Sequence, residues 1–219
     1  MRKVNRFLAL VEVEGEIVKA HIPNSGRLTE LMTTGHEAAL SKAPPGSMRK
    51  TAFTLRSVHH NGRWVCVDST IPNRLAEEMA RSRSITLFEG YDTVRREVTV
   101  GHHRFDLMLT GANRKPLLVE VKSVTLVENG VAMFPDAPTQ RGRSHLETLT
   151  RLLGEGYNCV ALFIVQRDDA KSFTPNTRTD PEFSKALMEA SLAGVCVKAL
   201  WCEVNEREIT AKGELPVNL

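Results

Sequence analysis

Several features that would place the chain in a familiar class are missing from its sequence. No apolar run approaches the length needed to cross a bilayer. The basic N-terminal stretch is followed at once by Glu12, Glu14 and Glu16, and no small-residue cleavage site follows, which argues against a signal peptide. A Gly-rich phosphate loop, a Rossmann fingerprint and a Ser/His/Asp grouping are also absent.

Cysteine and aromatic residues are both scarce. Aromatic side chains make up only 5% of the 219 residues. The four cysteines have no CxxC spacing, which predicts buried, reduced thiols in a cytoplasmic protein rather than a disulfide framework or a zinc site.

The net charge is only +3, but it is distributed unevenly. Residues 1–83 contain 13 Lys and Arg against 8 Asp and Glu, whereas residues 84–219 contain 16 against 18. A basic first segment and a slightly acidic second one suit a polyanion-binding module joined to a carboxylate-bearing catalytic module. The same imbalance also occurs in proteins that bind no nucleic acid, so charge alone leaves both interpretations open.

The first segment has the pattern of a small β-rich domain. Tight turns at Glu14-Gly15 and Asn61-Gly62 separate short apolar runs and predict two hairpins. A short helical turn is predicted at residues 28–32, with Ser25 as its cap. About five strands, a Pro44-Pro45-Gly46 loop and this turn favour an OB-like β-barrel within residues 1–83. A connecting helix capped by Asn73 closes the domain.

Residues 84–219 have an α/β pattern. Strands are predicted at residues 93–100 and 104–109, and a hairpin turn at Asn129-Gly130. A Leu-rich helix after residue 144 precedes the continuous apolar strand at residues 159–165, and Asp180-Pro181 begins a second helix. This order predicts an α/β domain with a mixed sheet.

The stretch from Arg104 to Ser123 carries the strongest chemical signal. Asp106 lies in one apolar strand, and Glu120-Val121-Lys122 lies in the next, with thirteen residues between the two carboxylates. Because side chains alternate along a strand, Glu120 and Lys122 share a face. An Asp followed by Glu-x-Lys on a buried strand is the core pattern of metal-dependent nucleases. A solvent-facing Glu–Lys pair on a half-exposed strand is the alternative.

These residues suit phosphodiester hydrolysis. Mg2+, or Mn2+ in its place, prefers carboxylate oxygens and keeps several waters, so Asp106 and Glu120 suffice as protein ligands. Lys122 would orient the attacking water or stabilise the developing charge. Glu97 is predicted as an accessory acid.

Basic residues near this motif and in the first segment predict contacts with nucleic acid. The loop before the Leu-rich helix offers Thr139, Arg141 and Arg143 beside a helix N-terminus, which favours a phosphate. The barrel offers a second set, which comprises Arg27, Arg49, Lys50 and Arg56. The pairs His59-His60 and His102-His103 are expected to be surface histidines, since neighbours on a strand face opposite ways.

The chain also resembles a known family through HIPNSGRL (21–28), RFDLML (104–109), VEVKSVTL (119–126) and AMFPDAPTQRGRSHLETL (132–149). These motifs resemble the sugar fermentation stimulation protein family over nearly the whole chain. The resemblance implies an N-terminal OB-like domain, a C-terminal PD-(D/E)xK nuclease-like domain, DNA binding and a link to the use of maltose and other sugars. The nuclease motif falls on Asp106, Glu120 and Lys122, although Phe105 stands where the pattern has proline.

Two functions therefore remain open. The chain is either a Mg2+-dependent nuclease acting on DNA, with RNA as an alternative substrate, or a DNA-binding regulatory protein that keeps the nuclease architecture without cleaving. No helix-turn-helix or zinc finger is visible, so contacts to the phosphate backbone are expected rather than readout of a base sequence. A barrel that binds a small ligand or another protein is a third class, which no residue pattern supports.

Overall fold

A computed structural model describes residues 1–43, 46 and 49–219. Pro44 and Pro45 of the predicted loop therefore lie outside the described residues. No helix in the described ranges is long and apolar enough to cross a membrane.

The N-terminal sheet is built from short, mostly antiparallel strands. Its order is β1-β2-β3-β5-β4, with β6 paired to β5, and only the β3–β5 pair is parallel. The hairpins at Glu14-Gly15 and Asn61-Gly62 are confirmed, and all four residues have the positive φ that a tight two-residue turn requires. The strands are Arg2–Asn5 (β1), Leu8–Val13 (β2), Glu16–His21 (β3), Ala38–Lys42 (β4), Phe53–His60 (β5) and Arg63–Cys66 (β6).

The short helical turn predicted at residues 28–32 forms only a single hydrogen-bonded turn and not a regular helix. Leu28 opens this turn, in which its carbonyl accepts from the amides of Leu31 and Met32. The side chains of Leu28, Leu31 and Met32 are buried in the core of the N-terminal sheet. Their apolar spacing is therefore explained by burial and does not require a helix.

The rest of the chain forms a large mixed sheet flanked by helices, as the α/β pattern predicted. The large sheet has the order β15-β14-β12-β9-β8-β7, and a small sheet has the order β10-β11-β13. Strand β12 pairs in parallel with both β9 and β14, while the other pairs of the large sheet are antiparallel. The helices are Ile71–Ser82 (α1), Gln140–Leu153 (α2) and Pro181–Ala193 (α3). The strands are Thr93–Val100 (β7), His103–Gly111 (β8), Arg114–Val124 (β9), Leu126–Glu128 (β10), Val131–Phe134 (β11), Asn158–Val165 (β12), Ser172–Pro175 (β13), Cys196–Val204 (β14) and Ile209–Leu215 (β15).

The helices cover opposite faces of the large sheet. Helices α2 and α3 pack into one core with Leu118 and Phe163, and α1 packs into the other with Val119 and Leu162. The division of the chain at residue 83 stays a prediction, and the packing of α1 against the large sheet favours a boundary before this helix.

The N-terminal sheet and the large sheet are joined by a hydrogen-bonded junction centred on Gln166. This side chain is fully buried, and its amide group donates to the carbonyls of Cys66 (3.0 Å) and Asp68 (3.1 Å). The Cys66 amide donates back to the Gln166 carbonyl (3.1 Å). At the surface Arg63 pairs with Asp168 (2.9 Å). Because buried polar groups must keep their partners, this junction fixes the spacing between the two halves of the molecule.

Candidate functional site

The register of two neighbouring strands brings the predicted carboxylates together. Strand β8 pairs antiparallel with β9, with Leu107 opposite Val119. The next step along this register places Asp106 beside Glu120, and alternation puts Lys122 on the same face. Glu120 is only 3% exposed and Asp106 and Lys122 are partly buried, so the alternative of a solvent-facing Glu–Lys pair is wrong.

Asp106 is held from two directions. Its Oδ2 accepts from the Val121 amide (2.7 Å), and its Oδ1 accepts from the side-chain amide of Asn73 (2.6 Å). Burial and the neighbouring Glu120 carboxylate together raise the pKa of Asp106 to about 6, although both hydrogen bonds and Lys122 oppose the change. Asp106 is therefore a carboxylate that would ionise more readily beside a cation.

The role of Asn73 differs from the prediction. The N-cap of α1 is Thr70, and Asn73 lies inside the first turn of the helix. The sequence could show that an Asn stood near the helix start, but only the packing of α1 against β8 aims it at Asp106.

Glu120 has partners on one of its oxygens only. Its Oε1 accepts from the Lys122 ammonium (2.6 Å) and from Nδ1 of His145. Burial acts to raise the pKa of Glu120, but the Lys122 charge and the His145 hydrogen bond outweigh it, so the pKa is lowered. Its Oε2 is buried and has no hydrogen-bond partner among the described residues.

His145 is the main functional residue that was not assigned from the sequence. It lies on α2, is 6% exposed, and also accepts from Nε of Arg141 at 3.4 Å. An acceptor at Nε2 leaves the ring proton on Nδ1, where it donates to Glu120. A signal was present, because His145 and Leu149 are four residues apart on the apolar face of the predicted helix.

These side chains lie at the base of a cleft of about 360 Å3 between the N-terminal sheet and the large sheet. One wall comes from the loop that follows β3, and the opposite wall comes from the segment between β11 and α2. The walls meet where Asp136 accepts from the Leu28 amide (3.2 Å) and lies against Gly26. The lining includes Arg6, Asn24, Ser25, Gly26, Ser69, Asn73, Asp106, Glu120, Lys122, Ser123, Phe134, Asp136, Thr139, Arg141 and His145.

The basic loop before α2 contributes two of its three predicted residues to this cleft. Thr139 is the N-cap of α2, where its hydroxyl accepts from the Gly142 amide (3.0 Å), and Arg141 lies in the first turn. Both line the cleft. Arg143 does not, because its guanidinium pairs with Glu147 (3.9 Å) and Glu182 (3.4 Å).

The predicted basic residues of the N-terminal part are spread apart. Arg27 lines a depression that adjoins the cleft. Arg49 donates to the Thr54 hydroxyl (2.7 Å), and Lys50 is exposed; neither is among the residues lining the cleft. Arg56 forms an ion pair with the buried Asp68, so its charge is neutralised locally.

Glu97, the predicted accessory acid, lies outside the carboxylate cluster. Its side chain is 59% exposed and faces Arg104 at 3.5 Å. It does not line the cleft.

The donor set fits a divalent cation with few protein ligands. Within the described ranges, no group of three or more His, Cys, Asp and Glu side chains is placed to hold a metal ion. Mg2+ nevertheless needs only one or two carboxylates, because it keeps several waters. The unpartnered Oε2 of Glu120 supplies an acceptor that is costly to bury alone, and the pKa of Asp106 is raised first by burial and then by the neighbouring Glu120 carboxylate, so a cation beside both would be favoured.

Comparison with known proteins gives matches along the whole chain. A family model described as the sugar fermentation stimulation protein RE domain matches residues 70–208, and a model described as the SfsA N-terminal OB domain matches residues 1–67. The second match confirms the predicted OB fold. The sugar fermentation stimulation protein homolog of Desulforamulus reducens is 45% identical over 219 residues, which cover 100% of this chain and 90% of the relative. The homolog of Natranaerobius thermophilus is 44% identical, with 99% and 91% covered.

A solved structure is also similar over its full length. The structure of Pyrococcus furiosus SfsA in complex with Ca2+ has a TM-score of 0.91 and is 31% identical to this chain, with 100% of this chain and 94% of that chain covered. A divalent cation is therefore present in a protein of the same fold.

Proposed function

Because this chain belongs to the sugar fermentation stimulation protein family, we propose that it binds DNA and hydrolyses phosphodiester bonds in the cleft between its two sheets. One observation carries the proposal. The buried Glu120, the partly buried Asp106 beside it and the adjacent Lys122 lie at the base of a cleft that is also lined by the exposed Arg6 and Arg141. Two carboxylates brought together away from water are rarely structural unless cations compensate them, and Lys122 pairs with only one oxygen of Glu120.

Asp106 and Glu120 are the residues that would hold the cation. When bound, Mg2+ or Mn2+ would lower the pKa of a coordinated water and neutralise charge on the phosphate. The Ca2+ in the Pyrococcus furiosus relative supports a divalent ion of this class. Asn73 and the Val121 amide fix the Asp106 carboxylate, and His145 fixes that of Glu120.

Lys122 and the residues at the mouth of the cleft act on the phosphate. Lys122 is 12% exposed and donates to Glu120, so its ammonium is held at the edge of the carboxylate pair. From this position it would stabilise the negative charge that develops on the phosphate in the transition state. Arg141 makes no ion pair within the described part of the chain, so its guanidinium is available to phosphate oxygens.

The test is a cleavage assay with purified protein and Mg2+ or Mn2+ on single-stranded, duplex and flapped DNA and on RNA. We expect Asp106→Ala and Glu120→Ala to abolish cleavage and to leave DNA binding nearly intact. Glu97→Ala is a matched control, because it removes an exposed carboxylate outside the cleft.

Absence of cleavage of every substrate would contradict the proposed hydrolysis. Binding of DNA without cleavage would favour the alternative, a regulatory DNA-binding protein that keeps the nuclease fold. That alternative carries the link to sugar metabolism that the family name suggests.

A further inference from the structure

The central cleft adjoins two further depressions, with each of which it shares lining residues. The first end depression, about 700 Å3, is lined by Lys3, Arg6 and Arg27, and shares Arg6 with the cleft. The second, about 560 Å3, is lined by residues of β8, of α2 and of the turn before β8, and shares Arg141 with the cleft. The cleft and the two depressions that adjoin it are together called the track below, and the two depressions are called its ends.

The cations and the carboxylates along the track lie in different parts of it. None of the described residues that line either end depression is Asp or Glu, whereas the carboxylates are confined to the central cleft. The second end carries Arg104 and the pair His102-His103. Within the described ranges the Arg104 side chain pairs with Glu97 at 3.5 Å, and exposed pairs of this kind contribute little. A chain of phosphates would therefore meet cations before and after the carboxylate pair.

An apolar ring, that of Phe7, follows Arg6 in the chain and lies beside the first end without lining it. Phe7 is 48% exposed, and the Arg6 guanidinium lies over its face at 5.4 Å from the ring centre. An aromatic ring with a cation beside it is a surface on which an unpaired base stacks.

Hydrogen bonds hold one wall of the central cleft in place. The buried Gln166 joins the two sheets, and on the cleft side Asn24 donates to the Val67 carbonyl (2.9 Å). Ser69 donates to the Pro23 carbonyl through both its amide (3.0 Å) and its hydroxyl (2.7 Å). These bonds hold one wall of the cleft in place above Glu120, so a substrate has to enter the cleft as it stands.

We propose that the track binds a single-stranded nucleic acid, with the phosphate to be cleaved at the carboxylate pair and the neighbouring phosphates at the two basic ends. This inference rests on the proposed function and names its substrate. A duplex is stiff over many base pairs, so bending it until one phosphate reaches the base of a walled cleft carries a deformation cost. A single strand is flexible, and proteins that bind it combine a basic groove with stacking surfaces.

The experiment measures binding by fluorescence anisotropy in EDTA, with a labelled poly-dT strand and a labelled duplex of the same length. Arg27→Ala and Arg104→Ala remove one cation from each end of the track. Arg207→Ala removes an exposed cation that lines neither the cleft nor its end depressions and is the matched control.

We expect wild-type protein to bind the single strand at least tenfold more tightly than the duplex. Each end variant should weaken binding severalfold and reduce the slope of log K against log salt by about 0.7, the value for one phosphate contact on a single strand. Arg207→Ala should bind as wild type. Equal affinity for duplex, or end variants that bind like Arg207→Ala, would overturn the track.

The same variants separate this inference from the proposed hydrolysis. Salt-dependent binding of the single strand through both ends, without cleavage in Mg2+ or Mn2+, would overturn the hydrolysis and support the track. Cleavage of duplex that depends on Asp106 but is unchanged in both end variants would overturn the track and support the hydrolysis.

Discussion

The raised pKa of Asp106 predicts an unusual dependence of stability on pH. In the unfolded chain this carboxyl ionises near its ordinary pKa of 3.8, whereas in the folded protein its pKa is about 6. The folded state therefore holds the proton more tightly than the unfolded state. The associated stability is fully present at low pH and is lost as pH rises from 3.8 to about 6.

The upper part of this window isolates Asp106 from Glu120. Glu120 has a lowered pKa, so it is ionised in both states above about pH 4.5, its ordinary pKa. From there to about pH 6, wild-type protein should lose about 1.5 kcal/mol of unfolding free energy through Asp106, since one pKa unit is worth about 1.4 kcal/mol and the folded carboxyl is half ionised at the end of the window. Asp106→Asn cannot ionise, so the variant should not show this loss.

The assay is chemical denaturation in EDTA across the window, for wild type and Asp106→Asn. Trp64 lies on β6 and Trp201 on β14, and the chain has two tryptophans. In a Trp64→Phe background, fluorescence therefore reports the large sheet. The quantity to follow is the difference in unfolding free energy between the two proteins. His60 and His103 have pKa values that are lowered chiefly by burial, so they make the unfolding free energy of both proteins rise with pH, and the difference removes their contribution.

Parallel stability curves for the two proteins across the window would refute this reasoning, because they would mean that Asp106 titrates alike in the folded and unfolded states. Addition of Mg2+ provides a second check. A cation that binds ionised Asp106 should stabilise wild type more at pH 7 than at pH 5, since carboxylate ligands must lose their protons.

Three further predictions concern residues around the cleft. His145→Phe should weaken Ca2+ binding by about 10- to 100-fold, because Glu120 loses the group that orients it. Titration calorimetry measures this affinity, and His145→Asn, which keeps a hydrogen-bond donor, should recover part of it. Gln166→Leu should cost about 1–3 kcal/mol in unfolding free energy, because buried carbonyls at the junction lose their donor. Gly26→Ala should weaken binding of single strands, measured by anisotropy, because its Cβ would lie 2.5 Å from Oδ2 of Asp136 and force the cleft walls apart.

Controls follow from exposure. Gln140→Leu changes an exposed glutamine and should stay within about 0.5 kcal/mol of wild type, in contrast to Gln166→Leu. Gly15→Ala meets nothing within 4 Å, so it should leave strand binding unchanged even though its positive φ lowers stability. Equal effects at Gly15 and Gly26 would show that fold stability, rather than the cleft, determines binding.

The sequence alone was sufficient for the features that depend on local physical chemistry. Tight turns such as Asn61-Gly62 were predictable because few residue pairs accept two successive positive φ angles. The Asp106 and Glu120-x-Lys122 motif was predictable because strand alternation fixes which side chains share a face. The edge strand β13 was missed because its four mixed residues are too few to show a period. Strand β15 was missed although its residues alternate between apolar or small and polar side chains along Ile209–Leu215.

Only the tertiary structure decided which charged residues are free to act. Arg143 and Arg56 have the same charge as Arg141, yet both are paired with carboxylates. Arg143 pairs with Glu182, which is 39 residues away, and Arg56 pairs with Asp68, in the segment between β6 and α1. His145 and Asn73 reach the carboxylates from helices on opposite faces of the sheet. Such contacts depend on how separate elements dock, and no local pattern encodes that docking. The sequence thus determined the chemistry of the carboxylate pair, while packing between distant segments determined its partners and the walled cleft above it.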